Sequence, residues 1–483
     1  MKPASTLIKN TTIVPLDGNR TVMRHADLMM SGEWITAVGD VPEDLARTAE
    51  MVIDGSERIV FPGLVNAHTH SPLATAKGYY DLANHKSALW MFQALTADRT
   101  PEEVHASALL NCTEMLSSGT TACIDHFPEQ GFSMEDVDAV VQAYKDSGMR
   151  AIVALRVFDE PYRDIYPDNG AFPAELTQVL SRRDPLRPRP MQDTLKLVEA
   201  AIRKHHDPAG LIQIAPAPSN PMRCSDELLK GCQRLAELYD TRVHCHLLET
   251  HIQTIIAQER YGTSMVKHLD AIGCLTPRLS CAHTIWIDDD DIALMADRGS
   301  IVVHNPESNV RGGSGLAPIA RMIKAGLPVA IGADGSPSGG NQALQHSMRL
   351  ATIIGRPQNR DLRHWVSTDD AMRMATAGGA LAMDLQDSIG TIASGRKADL
   401  ALYDLRTPWW TPVNDPIHQF VFAEPGSSVT DVFIGGRQVV ADRRITSFDA
   451  DAVLTSIGPM AERISRRNEE LMVLARALGN SVV

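Results

Sequence analysis

Phe61-Pro62-Gly63-Leu64-Val65-Asn66-Ala67-His68-Thr69-His70 is an apolar run that ends in two histidines one residue apart. On an extended strand, side chains two apart share a face, so His68 and His70 can offer two imidazole nitrogens to one cation. Alone the pair is half a metal site, because ligation needs further donors and many histidines only hydrogen-bond in a core. Working outward, four later segments each carry polar groups where a strand-like apolar run stops. They are Arg242 to Glu249 with His244, His246 and Glu249, Leu279 to His283, Ser300 to Asn305 with His304, and Leu327 to Gly335 with Asp334. Polar groups at strand ends converge only if the strands are parallel, as in a barrel of alternating strands and helices whose carboxyl ends gather the catalytic groups. Neutral nitrogen donors with one hard carboxylate suit zinc or another first-row divalent ion.

The alternation continues along the chain. Thr100-Pro101-Glu102-Glu103 opens a helix with a cap, proline at its first position and an acidic first turn, Ser118-Gly119 closes it, and Thr121-Ala122-Cys123-Ile124 follows as a strand. Helix-then-strand pairs recur through Glu135 to Leu155, Leu195 to Ala215, Ser225 to His246, Ile287 to His304 and Ala317 to Asp334. Short strands precede this body, turning at Ser31-Gly32, and others follow it, turning at Gly435-Gly436. The expected fold class is α/β, a (β/α)8 TIM-like barrel with a small β-sandwich domain built from both termini. Its expected parts are residues 1–60 plus 392–450 for the sandwich, 61–391 for the metal-dependent barrel, and 451–483 for a carboxyl-terminal helical extension. There Met460, Ile464, Leu471, Leu474 and Leu478 stand at helical spacing, which reads as packing on the chain's own barrel. Arg182 to Pro190, rich in Arg and Pro, reads as an irregular loop.

At 483 residues and 44% hydrophobic, the chain can bury a large core and exceeds the usual single-domain size. A net charge of -13 argues against nucleic-acid affinity, which rests on clustered Lys and Arg. Seven cysteines without a Cys-x-x-Cys pair read as reduced thiols, and neither a secretory leader nor a membrane-spanning run is seen, so the expectation is a cytoplasmic protein with no membrane partner. The absence of Pro-Cys-x-x-Cys excludes the zinc fold that pairs that motif with His-x-Glu to act on nucleobases. Arg311-Gly312-Gly313-Ser314-Gly315 does not match a phosphate-cradling loop.

The ordered set His68-x-His70, His246-x-x-Glu249, His283, His304-Asn305-Pro306-x-Ser308-Asn309 and Asp334-Gly335 resembles the amidohydrolase superfamily, in its branch of deaminases and triazine hydrolases (chlorohydrolases). The resemblance spans nearly the whole chain, to Lys397-Ala398-Asp399-Leu400. It implies one divalent metal ion per subunit, Zn2+ or alternatively Fe2+, held by His68, His70, His246 and Asp334. It also implies catalytic roles for Glu249, which protonates a ring nitrogen, for His283, which steadies the developing oxyanion, and for Asp334, which takes the water proton. The reaction implied is attack of metal-bound hydroxide on a carbon of a nitrogen heterocycle, with loss of an amino or similar group from a small-molecule substrate. A homodimer or higher homo-oligomer is expected on the same ground.

Plainer readings compete. His244 shares a strand face with His246, but His246 is nearer the carboxyl end and has Glu249 in register. Glu249 lies on the wrong face of a continuous strand, so the strand must end near His246 and the chain must curl. Asp334 alone would pass as a turn residue, and His126 stays open between core and site. Trp90 resembles an aromatic position covering the pocket, against ordinary core burial. Asn220 and Arg156 follow strand-like runs and are candidate substrate contacts, and His304 is a candidate either for substrate contact or for supporting the site from behind its ligands. Ala215-Pro216-Ala217-Pro218-Ser219-Asn220-Pro221 departs from the adenosine-nucleoside deaminase pattern, which counts against S-adenosylhomocysteine and methylthioadenosine as substrates and leaves pterins, purines, pyrimidines and triazines open. Hydrolysis of an amide, urea or C-Cl bond, and a non-catalytic scaffold, are the alternatives.

Overall fold

The computed structural model describes residues 5–79, 81, 85–161, 178, 182–184 and 187–481. The chain begins with β1 (Thr6–Ile13), β2 (Met23–Ser31), β3 (Trp34–Gly39), β4 (Met51–Asp54) and β5 (Arg58–Pro62). It returns at the other end with β14 (Leu400–Asp404), β15 (Val429–Ile434), β16 (Arg437–Ala441) and β17 (Arg444–Ile445). All nine form one sheet, in the order β17-β16-β15-β14-β5-β1-β2-β3 with β4 against β1. The two termini are stitched where β14 runs antiparallel to β5. Strand alternation gives this sheet two apolar faces. One encloses its own core around Ile8, Leu28, Ile35, Val60, Leu402 and Phe433. The other turns Phe61, Tyr403 and Val432 into the core of the barrel helices.

Eight parallel strands follow β5, in two four-stranded halves: β6 (Leu64–Thr69), β7 (Thr120–Phe127), β8 (Arg150–Val157) and β9 (Ile212–Pro218), then β10 (Val243–Leu247), β11 (Leu279–His283), β12 (Ile301–His304) and β13 (Val329–Ile331). The halves meet twice. His246 N–H donates to the Ser219 carbonyl at 3.3 Å, and Asp334 N–H donates to the His68 carbonyl at 2.9 Å, which closes the barrel.

The intervening helices include α1 (His85–Thr96), α2 (Pro101–Ser117), α3 (Met134–Ser147), α4 (Met191–His205), α5 (Asp226–Leu238), α6 (His251–Tyr261), α7 (Asp289–Arg298), α8 (Pro306–Arg311), α9 (Ile319–Lys324) and α10 (Leu344–Ile353). Helix α2 starts where its sequence says, with a reciprocal Thr100–Glu103 capping box and Pro101 in the first turn. After it Gly119 adopts φ +87, and a Cβ there would lie 2.2 Å from the Tyr403 hydroxyl, so β14 and α2 can pack only against glycine. A buried ion pair also ties sheet to barrel: Arg150 on β8 donates from Nε (2.6 Å) and Nη2 (3.0 Å) to Asp399, which also accepts Gly435 N–H at 2.7 Å.

The carboxyl-terminal stripe forms two helices rather than one, α11 (Ala450–Arg467) and α12 (Glu469–Ser481). The chain breaks at Asn468, whose amide donates to the Ala97 carbonyl at 2.9 Å. Met460, Ile464 and Leu471 are buried and Leu474 is partly buried, with α11 along α2 and α12 along α1. The side chain of Leu478 and part of the expected Arg182 to Pro190 loop lie outside the described residues.

Candidate metal centre and active site

The polar groups gather at the carboxyl ends of β6, β10, β11 and β13, and the backbone is bent to bring them in. β10 stops at Leu247, and Leu248 takes φ +48, the curl that carries Glu249 over the end of the barrel. His283 (φ +70) and Asp334 (φ +61) also occupy the left-handed region. Non-glycine residues held there are strained, and such strain concentrates at functional sites.

His68, His70 and His246 each have a ligand atom within 4.8 Å of the other two, as do His68, His283 and Asp334. The nearest spacings are 3.3 Å between His70 Nε2 and His246 Nε2, 3.4 Å from His70 Nε2 to Asp334 Oδ1, and 3.6 Å from His68 Nε2 to the same oxygen. Donors ~2.0–2.2 Å from a tetrahedral ion are separated by roughly 3.4 Å, and these three spacings lie close to that value. His68 Nε2 is buried without a hydrogen-bond partner, as a nitrogen reserved for a metal would be.

The other ring nitrogens are fixed from behind, which sets which nitrogen faces the centre. His246 Nδ1–H donates to the Ser219 carbonyl at 2.6 Å, and His70 Nδ1 forms an ion-pair contact with Glu129 Oε1 at 2.5 Å. His68 Nδ1 meets His244 Nε2 at 2.8 Å, and His244 Nδ1 meets Ser280 Oγ at 2.7 Å. His244 is thus engaged with the ring of His68, and His246 is the β10 histidine that joins the donors. His126, at the end of β7, packs its ring 4.5 Å from that of His246, with both nitrogens buried and unpartnered.

Glu249 stands between two imidazoles, with Oε2 3.0 Å from His85 Nε2 and Oε1 3.8 Å from His283 Nε2. His283 Nε2 is also 3.9 Å from Asp334 Oδ2, and its Nδ1–H donates to Asn309 Oδ1 at 2.8 Å. Burial alone would raise the Glu249 carboxyl, but the His283 and His85 charges hold it well below the usual range. Burial pulls His70 down, yet the Glu129 and Asp334 carboxylates raise it to about 9, which favours the imidazolium, so a metal ion would have to displace the Nε2 proton to bind there. Burial and the neighbouring imidazoles push His68 and His246 far down, favouring the neutral form that ligates metals.

A narrow cavity over these groups is lined by His70, His85, Leu89, Phe92, Glu249 and Asn220, among others. Arg156 reaches it while donating to Glu129 Oε2 (2.9 Å) and Ser219 Oγ (3.0 Å), so its first partners are protein groups. Asn220 lies at the cavity with its Oδ1 unpartnered. Two expected substrate contacts are placed elsewhere. Trp90 is buried in the barrel-helix core, because the phase of α1 turns Leu89 and Phe92, not Trp90, toward the site. His304 lines a different cavity, since the end of β12 directs it outward past α8. Sequence reasoning missed Glu129 and His85. Glu129 stood two residues past β7, where a strand-end search could have found it, whereas nothing in the sequence pairs His85 with Glu249.

A family model described as Amidohydrolase family matches residues 59–439. The 5-methylthioadenosine/S-adenosylhomocysteine deaminase of Syntrophobacter fumaroxidans is 33% identical, with 95% of this chain and 98% of the relative aligned. Deaminase 1 of the same name from Syntrophus aciditrophicus is 31% identical over 97% of this chain and 100% of its own. Among solved structures, an adenosine deaminase from Xanthomonas campestris with bound zinc superimposes with a TM-score of 0.84 at 27% identity, covering 96% of this chain and 99% of that one. A mutant atrazine chlorohydrolase from Arthrobacter aurescens, complexed with zinc and atraton, gives 0.85 at 25% identity, covering 94% and 100%.

Proposed function

Because this chain belongs to the amidohydrolase family, we propose that it removes an amino group hydrolytically from a nitrogen heterocycle, using one zinc ion held by His68, His70, His246 and Asp334. The observation that carries the reading is the gathering of His68, His70, His246 and Asp334, with donor spacings of 3.3, 3.4 and 3.6 Å, next to the Glu249–His283 pair. A divalent ion in that set would supply Lewis acidity and lower the pKa of a water to around 7.

The protein groups do the rest. Asp334 Oδ2, turned toward His283, is the acceptor for the first proton of the attacking water. Glu249 rests ionised, so it accepts the other proton of the water and passes it to the ring nitrogen, while the proton taken by Asp334 goes to the amino group, which leaves as ammonia. His283, fixed by Asn309, directs Nε2 to where negative charge develops on oxygen. Leu89 and Phe92 exclude water from the apolar side of the ring. The products are the oxo heterocycle and ammonia.

The likeness to deaminases of adenine nucleosides makes these the first substrates to test. The Pro218-Ser219-Asn220 departure keeps pterins and aminotriazines in the same panel. Chloride loss from a triazine is the second reading, favoured by the structural likeness to atrazine chlorohydrolase. We further propose residues 61–391 as the catalytic unit and a reducing, cytoplasmic setting, supported by seven buried free cysteines. Ammonia, amine and chloride release should be followed over the panel with zinc-loaded protein. Deamination that falls ~10²–10⁴-fold in Glu249→Gln with metal retained fits the proposed acid-base role. Unchanged turnover in that variant removes Glu249 from the mechanism, and chloride release without ammonia selects the second reading.

A further inference from the structure

A second cavity lies on the other side of the wall that carries His283. Helix α8 and the turn after it are the partition: Ser308, Gly312 and Ser314 line the metal-site cavity, whereas Asn309, Val310 and Gly315 line the outer one. The outer cavity measures about 920 Å3 and opens among α7, α9, α10 and the segment Arg356 to Val366. That is the size of pockets that hold small organic molecules.

Its chemistry has three parts. The walls are apolar, with Ile292, Ile319, Ala320, Ala351, Ile354 and Trp365 among them. At the base, His304 Nδ1 and Asn309 Nδ2 are buried without hydrogen-bond partners, in residues 3% and 2% exposed. A buried polar atom left unpaired is costly, and a ligand atom would satisfy it. The rim carries Arg321, Lys324, Arg356 and His364 against Asp289, which pairs with Arg321 at 2.6 Å. In a chain of net charge -13, this is a locally positive mouth. Arg356 is held 4.8 Å from the centroid of the Trp365 ring, so a cation and a flat apolar surface are presented together.

We propose that this outer cavity binds a small amphipathic organic anion. Its apolar body lies against Ile319 and Trp365, its acidic group faces Lys324 and Arg356, and a polar atom at its inner end reaches His304 and Asn309. Asn309 also holds the ring of His283 at 2.8 Å, so occupancy acts on the reacting groups through one shared side chain.

The test uses full-length, zinc-loaded protein and 8-anilinonaphthalene-1-sulfonate, an aromatic body bearing one sulfonate. Saturable binding of one molecule per chain, with energy transfer from tryptophan that drops in Trp365→Phe, is expected. Lys324→Glu, at an exposed position, and Ala320→Phe, which fills the cavity, should each weaken binding at least tenfold while turnover without the probe stays within twofold. Circular dichroism confirms that Ala320→Phe is folded, and Lys324→Glu carries the test if it is not. Binding indifferent to Lys324→Glu and to the filled variant overturns the proposal. So does a solution mass that falls in Lys324→Glu with no probe bound to the wild type, because a second copy then covers the cavity. Neither outcome depends on the deaminase reading, which the substrate panel tests separately.

Discussion

Glu129→Gln isolates what holds the metal ligands in place. Glu129 is 2% exposed, stands in ion-pair contact with His70 Nδ1 at 2.5 Å, and accepts from the Arg156 guanidinium at 2.9 Å. Glutamine keeps the shape and one carbonyl acceptor but removes the charge from both contacts. Charge-assisted hydrogen bonds contribute ~1.5–3 kcal/mol and neutral ones ~0.5–1.5, so the two weakened bonds cost about 2–3 kcal/mol together. Arg156, itself 4% exposed, also loses its buried counter-charge, which moves the total toward the ~3–5 kcal/mol of a broken buried pair. At the metal, losing the group that orients a ligating histidine costs ~10–100-fold in affinity. Chelator competition should therefore show zinc affinity reduced ~10–100-fold, and urea melts of the metal-free protein should show a loss of about 3 kcal/mol. Zinc affinity within twofold of wild type, alongside that loss of stability, would refute the reasoning: Glu129 would then be a structural counter-ion with no hold on the metal site.

Three further outcomes are expected. Burial holds His304 down at about 3, so its neutral state favours folding above the ordinary value of 6.5, and that stability is lost as pH falls from 6.5 toward 3. His304→Gln should flatten the acid limb of the stability-pH curve by a few kcal/mol, and an unchanged limb counts against it. His85→Gln removes one of the two imidazoles that keep Glu249 low, so the limb of the kcat profile reporting Glu249 should move to higher pH while metal content stays constant; a limb that stays in place means His85 does not govern Glu249. Arg150→Met strands Asp399 in the seam between sheet and barrel, and equilibrium unfolding should show a loss of ~3–5 kcal/mol. A change under 1 kcal/mol would mean that solvent reaches the seam.

The groups that the sequence marked are those whose position depends on local pattern. His68 and His70 share a strand face by periodicity alone, and the ends of apolar runs located His246, His283 and Asp334 because parallel strands deliver their carboxyl ends to one rim. Even the curl needed to bring Glu249 inward followed from its place three residues after His246, and Leu248 at φ +48 supplies it. Trp90 was misplaced because a two-residue error in helix phase exchanges a pocket wall for a core contact, and flanking apolar residues do not fix that phase.

The sequence by itself determined the alternation of strands and helices, the closure of the small sheet from both ends, and the identity of the donors that can meet. Tertiary structure alone decided what stands behind and beside them: Glu129 on His70, His244 on His68, His85 on Glu249, and His304 turned to a separate cavity. The physical reason is range. Backbone periodicity acts over a few residues and leaves its mark on composition. Contacts between distant segments depend on the angle at which each element packs, which no local pattern records.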